Sequence, residues 1–93
     1  MTDAVDELRD YLDRLREHGV ERLVVRWIDE TRPVEEGESG YTVRPVRRAV
    51  LTAKIDGEAE QRQFEGIEYE ELRTTIDPYP FETLYRTDNV TRG

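Results

Sequence analysis

Between Asp3 and His18 the apolar residues Val5, Leu8, Leu12 and Leu15 recur three or four positions apart, with Tyr11 beside them. This is the one-faced pattern of an amphipathic helix. Thr2 or Asp3 can cap its start, Asp3, Asp6 and Glu7 crowd its first turn, and Arg14, Arg16 and His18 lie toward its end, the sense the helix dipole favours. Gly19 supplies a C-terminal stop. From Val20 to Asp29 the period shortens to two. Leu23, Val25 and Trp27 form a wholly apolar face, while Arg22, Val24, Arg26 and Ile28 form a mixed one, and a strand is predicted.

Thr31 to Gly40 holds Pro33, Gly37, Gly40, Glu35, Glu36 and Glu38 without periodicity, which predicts an acidic, mobile loop over 31–40. Extended structure resumes at Tyr41. Pro45 cannot donate to a ladder and marks an edge, a bulge or a bend, after which Ala49, Leu51, Ala53 and Ile55 share one face. Asp56-Gly57 is a hairpin signal, because a type I′ turn needs positive φ at both central residues. A third strand from Glu58 to about Phe64 follows. A two-residue loop sets Arg48 opposite Glu65, and a three-residue loop sets Lys54 opposite Glu58; the sequence leaves both registers open.

Tyr69, Leu72 and Ile76 mark a short second helix that Pro78 ends. Phe81, Leu84 and Tyr85 fit either a helical turn or an extended piece, and Asp88 to Gly93 reads as a frayed tail. The expected architecture is a single α+β domain over 1–93, with an N-terminal helix packed on a three-stranded antiparallel sheet, a short second helix and a C-terminal tail. The first helix covers one sheet face through Leu8, Leu12 and Leu15 against Leu23, Val25 and Trp27. Val24, Ile28 and Val50, joined by Val46, are left on the other face. That face is covered either by the C-terminal segment, through Leu72, Ile76, Phe81, Leu84 and Tyr85, or by another protein chain.

Charge sharpens this picture. Of the 93 residues, 22 are acidic and 14 basic, a net charge of −8, and 13 of the basic residues are Arg against the single Lys54. An acidic surface repels itself, but at molar salt the Debye length falls to about 3 Å and the repulsion is largely screened. Rich in acids, Arg and Thr and poor in Lys, the composition resembles that of small cytoplasmic proteins of extreme halophiles. A second, local resemblance rests on Ile76-Asp77-Pro78 followed by Phe81, Leu84 and Tyr85. It is similar to the Ile-Asp-Pro segment of the haloarchaeal output domains that accompany signalling proteins, in which strands follow the motif. The likeness covers under a fifth of the chain and carries no functional residue over.

Candidate chemistry is sparse. The absence of cysteine excludes disulfides, thiol catalysis and thiolate metal sites. His18, the lone histidine, sits at a helix end, where it complements the dipole rather than serving as a base. Ser39 lies in the acidic loop, away from any Gly-x-Ser-x-Gly setting. Glu35, Glu36 and Glu38 lack the ordered spacing of a calcium loop. No cofactor or metal is expected, nor an enzyme. The acidic N-terminus does not resemble a secretory signal and no apolar run approaches a membrane span, so a cytoplasmic protein without membrane contact is expected.

The leading expectation is a non-enzymatic protein-interaction or regulatory domain that contacts another protein or forms a homodimer through Val24, Ile28 and Val50. The alternative is a nucleic-acid module. Residues 41–55 contain no acid but hold Arg44, Arg47, Arg48 and Lys54, and Arg beside an aromatic on a strand contacts phosphates or stacks on bases. The net charge of the chain opposes it, as does the loss of counterion-release affinity in strong salt. Pairing of these arginines with Glu60, Glu65 and neighbouring acids competes with it.

Overall fold

The computed structural model describes residues 3–35 and 41–91, with side chains described except at 32–35, 41–44, 90 and 91. Its elements run α1 (Ala4–Glu17), β1 (Arg22–Glu35), β2 (Tyr41–Ile55), β3 (Glu58–Glu65), α2 (Tyr69–Ile76) and β4 (Glu82–Thr91).

Helix α1 starts at Asp3, whose carboxylate accepts from the Val5 N–H at 2.8 Å. It ends in a Schellman motif: Gly19, at φ +72°, lets the Val20 N–H reach the Leu15 carbonyl and its own N–H reach Arg16. The predicted stripe is the buried one, with Leu8, Tyr11, Leu12 and Leu15 all inaccessible to solvent. They meet Leu23 and Val25 of β1, Ala49, Leu51 and Ala53 of β2, and Phe64 of β3. Leu72 and Ile76 of α2 enter the same core, so both helices lie on one face of the sheet.

The sheet has four strands in the order β3-β2-β1-β4 and is mixed, not three-stranded and antiparallel. β1–β2 and β2–β3 are antiparallel, whereas β4 runs parallel to β1 from Arg22↔Glu82 to Thr31↔Thr91. The segment expected to be a tail is therefore a strand through Thr91. Its alternation is weak in sequence because an edge strand keeps polar residues on both faces, and parallel partners such as Arg22 and Glu82, far apart along the chain, leave no local turn signal. Since β3 and β4 lie at opposite edges, the β3-α2-β4 connection crosses the whole sheet, and this puts α2 beside α1.

The loop expected over 31–40 is shorter than that. Residues 31–35 continue β1 and pair with β2 residues 41–45, while 36–40 lie outside the described residues. Pro33 and Pro45 are tolerated because both stand where the β1–β2 ribbon has outrun its outer neighbours. β4 ends at the partner of Thr31, and β3 ends at the partner of Arg48. The Asp56-Gly57 turn adopts φ +53° and +83°. The two-residue loop is the register formed, with Ile55↔Glu58 and Arg48↔Glu65.

Candidate protein-contact face

Alternation from the core positions places Arg22, Val24, Arg26, Ile28 and Glu30 of β1 on the face away from the helices. Beside them stand Arg48, Val50, Thr52 and Lys54 of β2, and Leu84, Arg86 and Asp88 of β4. The C-terminal segment does not cover this face. Its Leu72, Ile76 and Tyr85 pack on the helix side, and Leu84 joins the open side.

Val24 and Leu84 are cross-strand neighbours, exposed to 39% and 54%, and they are the exposed large hydrophobics of the described residues. Val50 is half-buried in the next row, opposite Arg26. Ile28, expected to be uncovered, is only 4% exposed. It lies between Arg48 and Asp88 in register, and the aliphatic stem of an arginine shields an apolar neighbour. Arg26 donates to Asp88 across the β1–β4 pair. Glu30 is buried 3.9 Å from Arg48. Where β1 begins, an open hollow of about 500 Å³ is lined by Val20, Val24, Thr52, Lys54 and Ala59.

The basic segment is divided by the pleat. Arg47 points to the helix side, where it bonds Glu68 at 2.7 Å and lies 3.9 Å from Asp29. Arg48 faces the open side with Glu30, and Lys54 is exposed there. The Arg44 side chain is outside the described residues. Glu65 stands opposite Arg48 in register, but Glu60 pairs with Arg14 of α1 at 3.1 Å. Sequence reasoning set Arg26 on this mixed face of β1 but missed Leu84 and Arg86 as members of it. The available signal was Leu84 alternating with polar residues, which becomes readable once the segment is known to be a strand.

On the helix side, Trp27 donates from Nε1 to the Ile67 carbonyl at 3.0 Å and meets Tyr69 edge-on, and Tyr69 in turn meets Tyr85. Arg73 caps Tyr85 at 4.6 Å from the ring centre. Partial burial, followed by the nearby Asp77, pushes the Tyr85 hydroxyl up from its ordinary value, against the pull of Arg73. These contacts bind α2 to the sheet. His18 is exposed at the α1 C-cap, and Ser39, Glu36 and Glu38 lie outside the described residues. No cluster of three His, Cys, Asp or Glu suited to a metal ion occurs among the described residues. No helix among them is long and apolar enough to cross a membrane. Comparison with protein-family models, curated proteins and solved structures returns no match.

Proposed function

We propose that this chain is a small, non-enzymatic protein-interaction module of a halophilic cytoplasm, and that its open sheet face receives an acidic partner protein with apolar side chains at the contact. The adjoining pair Val24 and Leu84, exposed on a face that no helix of the described residues covers, is the observation that supports this most directly. The surrounding charge sets the partner's chemistry. Arg22, Arg26 and Arg48 on this face are paired with Glu82, Asp88 and Glu30, while Lys54 and Arg86 make no ion pair among the described residues, in a chain whose net charge is −8 and whose two helices are crowded with acids. In a proteome of acidic surfaces, two cations left unpaired beside an exposed apolar pair mark where repulsion from a neighbour is lifted. The hollow beside Val24 gives an apolar side chain a place to enter. The nucleic-acid reading gains less, since Arg47 and Arg48 are both engaged by carboxylates.

The test is capture from the native cytoplasm in molar KCl, with and without nuclease, on immobilised wild type and Val24→Glu. A protein held by wild type, insensitive to nuclease and released by the Val24 variant is the expected result. Nuclease-sensitive capture, or capture indifferent to Val24→Glu, overturns the reading.

A further inference from the structure

A sheet edge is a template for another strand unless something blunts it: Lys or Pro, a bulge, a short length or a covering element. β3 is eight residues long, carries Glu58, Glu60, Arg62 and Glu65, and lies beside α1. β4 carries charges too, at Glu82, Arg86 and Asp88, but it is longer and no helix or strand of the described residues covers its outer edge. It runs for ten residues, Glu82–Thr91, contains neither Lys nor Pro, and pairs in unbroken step with β1.

We infer that two copies of this chain pair antiparallel through β4, around a two-fold axis at Thr87, joining their sheets into one. The inference concerns the edge of the sheet and goes beyond the proposed use of its face. The hydrogen-bonding sense of β4 supports it. The Glu82 N–H donates inward to the Glu21 carbonyl at 2.8 Å. Alternation then turns the N–H and C=O of Thr83, Tyr85, Thr87 and Asn89 outward, where β1 cannot reach them.

Charge selects the register. Directly opposed residues must share a face, so the axis passes through a residue and not between two. An axis at Arg86 sets Arg86 against itself, and one at Asp88 sets Asp88 against itself. An axis at Tyr85 sets Glu82 against Asp88. At Thr87, Arg86 of each copy stands across from Asp88 of the other, and Leu84 across from Val90. Arg86–Asp88 is then a non-hydrogen-bonded pair, the closer of the two kinds, with Cα atoms about 4.5 Å apart. Arg86 makes no ion pair among the described residues. Asp88 has a second oxygen beyond the one that accepts from Arg26. The new strand also flanks Leu84, the most exposed large hydrophobic of the described residues.

Light scattering and sedimentation of purified protein in molar KCl test this, independently of any captured partner. The expected mass is twice the chain's 11.0 kDa. Thr87→Pro deletes an outward N–H on each copy and leaves the inward β4 bonds intact. It is expected to raise the dimer dissociation constant about tenfold or more while circular dichroism is unchanged. Arg86→Glu, which touches no backbone bond, is expected to weaken the dimer as well. Thr87→Cys should oxidise to a covalent dimer, because Cα atoms about 5.5 Å apart at the axis are within disulfide reach. Thr83→Cys should not, as its two copies lie roughly 27 Å apart. A wild type that stays monomeric to millimolar concentration overturns the inference. So does a dimer indifferent to both Thr87→Pro and Arg86→Glu, or equal cross-linking at 83 and 87.

Discussion

Replacing Tyr11 with Phe removes a hydroxyl from a buried site where it has no hydrogen-bond partner among the described residues. The ring's own contacts survive the change: Phe64 lies 5.8 Å away, and Arg62 sits over the ring at 5.2 Å. An unpaired buried hydroxyl costs about 1–3 kcal/mol, and the oxygen-sized void left by its removal costs about a few tenths. Tyr11→Phe is therefore expected to stabilise the fold by about 1 kcal/mol. Tyr79→Phe makes the same chemical change with the opposite sign. The Tyr79 hydroxyl donates to Asp13 at 2.6 Å, and losing that bond should cost about 1 kcal/mol. The two variants also differ from wild type in alkali. Burial, then the Glu60 charge, raises the Tyr11 hydroxyl above 10.0, against Arg14 and Arg62. The folded state then holds this proton more tightly than the unfolded chain. Its contribution is whole below about pH 10 and lost as pH rises through the folded value. Tyr11→Phe should lose less stability between about pH 7 and about pH 11 than wild type, with Tyr79 and Tyr85, also raised by burial, accounting for what decline remains. Urea titration in molar KCl, read by Trp27 fluorescence, measures both effects. A Tyr11→Phe protein less stable than wild type by more than about 0.5 kcal/mol at neutral pH would refute the reasoning.

Other expected outcomes follow from the same packing. Leu12→Ala empties a site with no solvent exposure between helix and sheet and should cost about 2–5 kcal/mol in the same titration. Gly57→Ala forces a side chain into φ +83° and should cost about 1–2 kcal/mol even though its Cβ meets nothing within 4 Å, so an unchanged midpoint would count against the turn. Lowering KCl from molar to millimolar unscreens a net charge of −8 and should lower the melting temperature. A temperature that holds or rises would remove the support for a halophilic setting.

Short-range physics made several features legible in the sequence. The stripe Leu8, Tyr11, Leu12 and Leu15, the stop at Gly19, the alternation of Leu23, Val25 and Trp27, and the Asp56-Gly57 turn each depend on residues within one or two turns of one another. So did the placement of Val24 and Val50 on the face opposite the helix. What the chain's order could not settle depends on pairing across long separations. Whether Phe81 to Thr91 folds over the open face or extends the sheet is decided by the parallel register with β1, which leaves only weak alternation in ETLYRTDNVT. The burial of Ile28 follows from neighbours on two other strands, and the division of Arg47 from Arg48 follows from the pleat acting on one basic run. Composition and local period determined both helices, the first three strands in outline, the presence of the hairpin and the acidic character of the chain. Tertiary structure alone decided that both helices share one side, that β4 forms an open edge, and that Val24, Leu84 and Arg86 meet on a single face. Those outcomes depend on which distant strands exchange hydrogen bonds, and no local pattern encodes that choice.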